Sequence, residues 1–260
     1  SAGGTMIGGS AGGTGNIISG NTGHGILVFG ASGTTILGNA IGTNSSTSAA
    51  IANGGDGIQV GGGATGTVIG EPNGNPVGGG NVISGNTGWG LSIVGGATGT
   101  TVLGNCIGVD ANSSAIIANH AGGVLILGAS GNVIGGVAAG AGNSIMGNVG
   151  AGIAVTAGTD NALLGNRIDN NAGLAIDLGN DGVTANDPLD ADGGPNALQN
   201  FPVLASATRS VAGTRVTGSI DTTPNTALRL EFFSSPSADP SSYGEARVLV
   251  GTLSVTTDAS

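Results

Sequence analysis

One segment returns twice along this chain, and that repetition limits what the chain can fold into. NIISGNTGHGILVFGASGTTILGNAIGTN, starting at Asn16, comes back 65 residues later from Asn81 as NVISGNTGWGLSIVGGATGTTVLGNCIGVD. A looser copy, NSIMGNVGAGIAVTAGTDNALLGNRIDNN, starts at Asn143. A shorter period lies inside each copy. The runs GILVF, GIQVG, GLSIV, GVLIL, GIAVT and GLAID place Ile26, Ile58, Leu91, Val124, Ile153 and Leu174 at spacings of 32, 33, 33, 29 and 21. Repeats of 20 to 50 residues belong to solenoids or propellers. A propeller blade needs four strands and about 40 residues or more, with aromatic landmarks, whereas this chain holds six aromatics in all.

Within the runs the apolar residues alternate: Ile26 with Val28, Ile58 with Val60, Leu91 with Ile93, Val124 with Ile126. That is the period of a strand buried on one face. A second apolar column is read about ten residues on, at Leu37, Ile69, Leu103, Ile134 and Leu164, each followed by Gly. Gly, Asn and Ser fill the spaces between, residues that turn a chain and accept positive φ. In a coil of short parallel strands each rung stacks about 4.8 Å above the last, so like side chains meet like. Asn39, Asn105 and Asn166, or Asn21, Asn86 and Asn148, are then placed to form amide ladders. Over residues 5–180 this pattern resembles the right-handed parallel β-helix repeats of secreted bacterial proteins, the pectin-lyase-like superfold. The resemblance implies about six to seven rungs and the right-handed coil.

Composition agrees with that architecture and removes others. Glycine makes up 56 of 260 residues, but it keeps no three-residue period and Pro numbers only 8, which excludes collagen. Hydrophobic residues at 38% exclude a wholly disordered chain. Fifteen acids stand against five Arg and no Lys, a net charge of −10 that repels nucleic acid and anionic membranes. Every apolar run is broken well short of the roughly 20 residues that span a bilayer, so no membrane insertion is expected. The single Cys106 permits no internal disulfide. It shares a repeat position with Ala40 and Arg167, which reads as an outward, variable site. The chain opens in mid-repeat without leader or amphipathic cap, as a processed product or a piece of a longer protein would.

Four longer excursions interrupt the coil, at 43–56, 109–122, 71–80 and 136–142. The first two match in length and fall two rungs apart, so they are expected on one side. Residues 193–260 then hold only 6 of the 56 glycines but four of the six aromatics and four of the five Arg, which marks a second domain. FPVLASAT (201–208), TRVTGSI (214–220), ALRLEFF (227–233) and ARVLVGTLSV (246–255) read as antiparallel strands. The reading is therefore an all-β chain: a parallel β-helix over 1–180, an acidic hinge over 181–199, and a small immunoglobulin-like β-sandwich over 200–260. Four or five strands leave that sandwich short of a closing strand. Either the module continues beyond this sequence or something else covers its open edge. The hinge, with TPNTALRLEFFSS and YGEARVLVGTLSVTTD after it, resembles the hinge and C-terminal module of large bacterial secreted or cell-surface β-helix proteins.

Six of the fifteen acids fall between Asp169 and Asp192. Asp177, Asp181, Asn186, Asp187, Asp190 and Asp192, interleaved with Gly and Pro188, are oxygen donors of the kind calcium takes six to eight of, although their spacing is not an EF-hand loop. Structural calcium rigidifying the joint is the expectation. His24 sits in TGHG, which resembles the Gly-His-Gly motif of polygalacturonases. The equivalent residues Trp89 and Ala151 make this an exposed corner instead, and His120 stands where the paired excursion has Gly54. Glycoside hydrolysis needs paired carboxylates, while residues 1–166 contain only Asp56, Glu71, Asp110 and Asp160. Lyases of this superfold use cationic side chains, and the coil has Arg167 alone. No catalytic residue is assigned.

The lack of a catalytic cluster, together with what the resemblance implies, gives the expectation of a noncatalytic, extracellular structural or adhesive β-solenoid of a bacterial surface or secreted assembly. Self-association into filaments, or contact with surface glycans, is the expected partner chemistry. The alternative on the same fold is a polysaccharide-degrading or polysaccharide-binding protein.

Overall fold

The computed structural model describes residues 3–72, 78–211, 213–236 and 243–259. Eighteen short strands form three parallel sheets of six strands each, and every turn of the chain visits the three sheets in order. Sheet A contains Met6–Gly8, Thr35–Leu37, Val68–Ile69, Thr101–Val102, Val133–Gly135 and Ala162–Leu164. Sheet B contains Ile17–Ile18, Ala40–Ile41, Val82–Ile83, Cys106–Ile107, Ser144–Met146 and Arg167–Asp169. Sheet C contains Ile26–Phe29, Ile58–Gly61, Trp89–Val94, Gly122–Leu127, Ile153–Ala157 and Ile176–Leu178. Six complete rungs of a β-helix result.

The core is a set of stacks. In sheet A, Ile7, Ile36, Ile69, Val102, Ile134 and Leu163 lie over one another; in sheet B, Ile18, Ile41, Ile83, Ile107, Ile145 and Ile168 do so. Sheet C contributes two stacks, one through Ile26, Ile58, Leu91, Val124 and Ile153, the other through Val28, Val60, Ile93, Ile126 and Val155. Nearly all of these side chains are fully buried in the middle rungs, each contributing about 1.5–3 kcal/mol of burial.

Two sequence columns sit in a different register from the one expected. Leu37, Leu103 and Leu164 lie one residue past the sheet A stack, where the alternate rungs have Gly8, Gly70 and Gly135. Alternate rungs turn the corner with Leu-Gly-Asn, and the others with Gly in place of that Leu, followed by an excursion. In the last rung Ile176 pairs with Ile153, so Leu174 belongs to the preceding corner.

Many glycines do serve corners, with φ near +60° to +85°, such as Gly38, Gly70 and Gly104. A second group works differently. Gly25, Gly57, Gly90, Gly123 and Gly152 enter sheet C with ordinary φ, and a Cβ there would collide with the next rung: at Gly123, with the carbonyl oxygen of Gly152 at 2.4 Å and Ile145 Cγ2 at 2.4 Å.

The excursions 43–56 and 109–122 share one side, as expected, and touch: Ala111 N–H donates to Thr47 Oγ1 at 3.3 Å. Of the 71–80 excursion, residues 73–77 lie outside the described residues. Cys106 does point outward from sheet B, but it is 1% exposed rather than a surface site. The 109–122 excursion folds over it, bringing Ser113 Oγ to 3.3 Å and packing Val109 against Val82, Cys106 and Met146.

Beyond the coil, all four strand runs form. Val203–Ser210 pairs with Gly213–Ser219 and Ala227–Ser234 with Val248–Thr256, each as an antiparallel hairpin. Among the described residues no ladder joins the two hairpins. The segment after Glu245 docks on the last rung. Ile168 and Ala246 exchange both backbone hydrogen bonds at 2.9 Å, Arg247 Nε meets Asp169 Oδ2 at 3.3 Å, and Glu231 Oε2 accepts from Gly165 N–H at 2.8 Å.

Candidate functional site

Polar side chains gather in three kinds of place: inside the corners, on one outer corner of sheet C, and in the segment joining coil to hairpins.

The corner ladders are continuous. Asn16, Asn39, Asn81, Asn105, Asn143 and Asn166 are linked by Nδ2–H···Oδ1 bonds of 2.9–3.0 Å. Asn21, Asn53, Asn86, Asn119, Asn148 and Asn171 form a second ladder at 2.8–3.0 Å. The remaining Nδ2 hydrogen of each inner Asn goes to a backbone carbonyl, as from Asn81 to Ile36 at 2.9 Å, so corner backbone and amide satisfy each other. Half of these residues were missed in the sequence: Asn16, Asn53, Asn81, Asn119 and Asn143 follow excursions of unequal length, and Asn171 closes the loosest copy of the repeat. A third corner carries buried Thr34, Thr67 and Thr100, then Asn132 and Asn161. Asn196, from the hinge, caps it by accepting from Asn161 Nδ2 at 3.2 Å and donating to Asn161 O at 2.7 Å.

His24, Asp56 and Trp89 follow one another up the corner of sheet C. Asp56 is buried and fully engaged: Oδ2 accepts from Ser92 Oγ at 2.6 Å and Gln59 Nε2 at 3.3 Å, and Oδ1 from Trp89 N–H at 2.9 Å. His24 Nδ1 accepts from Asp56 N–H at 2.9 Å. The TGHG motif therefore orients its imidazole toward the backbone of the next rung.

The hinge residues expected to ligate calcium are divided among several places. Asp177 lies in strand Ile176–Leu178, buried, with Oδ2 accepting from Gly182 N–H at 3.2 Å. Asp181 is exposed. Asn186 exchanges hydrogen bonds with the backbone of Phe201, at 2.8 and 3.0 Å. Only Asp187, Asp190 and Asp192 converge, with one carboxylate oxygen of each within 4.8 Å of the others. Asp187 Oδ2 accepts from the N–H groups of Ala191 and Asp192, both at 3.1 Å. Asp190 accepts from Asn200 N–H at 2.7 Å and Thr222 Oγ1 at 2.9 Å. Asp187 Oδ1 and Asp192 Oδ1 are buried with no hydrogen-bond partner. Lost hydration, then the neighbouring Asp187 and Asp190 charges, raise the Asp192 carboxyl above its ordinary value.

Asn200, Asp221 and Thr222 complete this cluster, and no motif or period singles them out. Buried Asn200 brackets the backbone of Asp187: its Oδ1 accepts from Asp187 N–H at 3.0 Å and its Nδ2 donates to Asp187 O at 2.7 Å and Asp221 O at 2.7 Å. Asp221 Oδ1 accepts from Leu189 N–H at 3.1 Å. Calcium takes six to eight oxygens; most of the shell of an ion here would be water, because the cluster's other oxygens are committed to N–H and O–H donors.

Compared with known proteins, the chain matches no family model, no curated protein and no solved structure.

Proposed function

We propose that this chain is a rigid spacer, a noncatalytic β-solenoid that serves as a structural or adhesive segment of a bacterial surface or secreted assembly. The observation that carries the reading is the pair of six-residue Asn ladders, which commits twelve Asn side chains to holding one rung on the next. Asp56, a buried acid of the coil, is likewise spent on Ser92, Gln59 and Trp89. The right-handed coil, the immunoglobulin-like closure of the two hairpins and a weak, water-rich calcium site at Asp187 and Asp192 belong to the same proposal. Self-association of coils into filaments belongs to the same proposal.

The test is a glycan panel with product analysis, run beside light scattering over a wide concentration range. Mass that grows with concentration and no released sugar support the scaffold. Depolymerisation of any glycan overturns it in favour of the polysaccharide-degrading alternative. Unchanged melting on adding calcium or a chelator removes the ion from the proposal.

A further inference from the structure

The peptide bond between Asp187 and Pro188 has around it what a self-cleaving bond needs. An aspartate carboxylate can attack its own carbonyl carbon, closing a five-membered ring. Ordinarily a competing reaction intervenes, in which the next residue's N–H attacks the side chain. Proline has no N–H, so that path is closed here.

Three features of the fold favour the remaining path. The carboxylate is oriented: Oδ2 is held by the N–H groups of Ala191 and Asp192 at 3.1 Å, while Oδ1 is buried and has no partner. The carbonyl that would be attacked already receives Asn200 Nδ2–H at 2.7 Å, a donor aimed where negative charge would develop. Asn200 is itself 3% exposed and fixed by its bonds to Asp187 N–H and Asp221 O. Finally, the chain leaves the bond through Leu189 and Asp190, both in the left-handed region at φ 60° and 57°, a disfavoured backbone that can relax once the bond is cut.

We propose that the folded chain cuts itself between Asp187 and Pro188, severing the covalent link between the coil and the hairpins. Ionised Oδ1 of Asp187 forms a bond to the Asp187 carbonyl carbon, and the carbonyl electron pair moves onto the oxygen facing Asn200 Nδ2. That pair returns as the C–N bond breaks. Its electrons go to the Pro188 nitrogen, which takes a proton from solvent hydronium. The five-membered anhydride left on Asp187 is opened by one water, giving an Asp187 with two carboxyls and a new N-terminal Pro188. The net reaction is hydrolysis, with no oxidant or reductant. The halves stay associated through the Asn161–Asn196 bonds, the Ile168–Ala246 pairing and the Arg247–Asp169 pair, so the cut shows only under denaturing conditions.

A second Asp–Pro bond, Asp239–Pro240, gives a comparison of the same dipeptide within one chain. The full-length chain is incubated folded and in urea at about pH 5, just above the ordinary carboxyl range, and read by denaturing intact mass. In the folded chain, fragments 1–187 and 188–260 are expected to appear at least about tenfold faster than cleavage at Asp239–Pro240 and than either cleavage in urea. Asn200→Asp, which keeps the acceptor for Asp187 N–H but removes the donor to the carbonyl, slows the cut on the order of tenfold to a hundredfold. Asp187→Ala abolishes it. Equal rates at the two Asp–Pro bonds, equal rates folded and in urea, or an uncut folded chain overturn the proposal; the wild-type comparison decides even where a variant folds poorly.

Discussion

Asn39 Nδ2 donates to Asn81 Oδ1 at 3.0 Å, although 42 residues separate them and both are buried. The same Oδ1 accepts from Asn39 N–H at 3.0 Å, and Asn81 passes the pattern upward to Asn105 at 2.9 Å. Replacing Asn81 with Ala therefore deprives both the Asn39 backbone N–H and Asn39 Nδ2 of their shared acceptor away from water, while the Ile36 carbonyl keeps the Gly70 N–H. Buried groups left unpaired cost about 1–3 kcal/mol each, so Asn81→Ala should destabilise by about 2–4 kcal/mol in chemical denaturation. Asn16, at the exposed first rung, has water to replace it. Asn16→Ala should cost about 1 kcal/mol or less. Equal losses at the two sites would mean that the ladder is not a buried device.

The third corner carries a fault that mutation can repair. Thr67 and Thr100 are fully buried, and neither Oγ1 has a hydrogen-bond partner. Val has nearly the same shape without the hydroxyl. Thr67→Val and Thr100→Val should each stabilise the coil by about 1 kcal/mol, the cost of an unpaired buried hydroxyl being of that order. A fall in the denaturation midpoint for both would show that those hydroxyls are paired in solution.

These features differ in how far they could be read from the chain. The sheet C stack was legible because Ile26, Ile58, Leu91, Val124 and Ile153 recur with period-two alternation, which a strand buried on one face requires. The sheet A stack was displaced by one residue in alternate rungs, since Leu-Gly-Asn and Gly-plus-excursion corners look alike when aligned on glycine. Cys106 was misplaced because its burial comes from a loop that the repeat does not contain. At the hinge, the Asp-rich composition was visible. The pairing of Asp187 with Asn200 and of Asp190 with Thr222 follows no period, so no pattern announced it.

Glycine at the entry to sheet C is a second kind of constraint. A Cβ on Gly123 would come within 2.4 Å of both the Gly152 carbonyl oxygen and Ile145 Cγ2, whereas Gly128, at an open corner, has nothing within 4 Å but a φ of 63°. Gly123→Ala forces neighbouring rungs apart and should cost about 3 kcal/mol or more, beyond the usual overpacking range at its upper end. Gly128→Ala should cost only the left-handed conformation, about 1–2 kcal/mol. Thermal or urea unfolding of the two variants separates close approach from turn geometry.

Docking of the C-terminal segment rests on Asp169, whose side chain is 4% exposed and faces Arg247. Removing the cation leaves a buried carboxylate with a weaker donor, Asn170 Nδ2 at 3.3 Å. Because the Arg247 side chain is 37% exposed, solvent already screens part of the pair. Arg247→Ala should cost about 1–2 kcal/mol, less than a fully buried pair would. The loss should be local, read as faster hydrogen exchange at the Ile168 and Ala246 amides with the middle rungs unchanged. Unaltered protection at those two amides would mean that the backbone pairing holds without the ion pair.

Asp192 makes the hinge sensitive to pH in a defined direction. Lost hydration and the Asp187 and Asp190 charges hold its carboxyl above the ordinary value of 3.8. The folded chain then keeps a proton that the unfolded chain has already released. Stability contributed by this group is therefore present below the ordinary value and lost as pH rises from there through the raised value. Carboxyl resonances followed by NMR should show Asp192 titrating above the ordinary carboxyl value. Neutralising a neighbour with Asp190→Asn should bring it back toward the ordinary value, while Asp110, far along the chain, should not move. If Asp192 titrates unchanged in that variant, its neighbours' charges do not reach it and the three carboxylates do not act as one cluster.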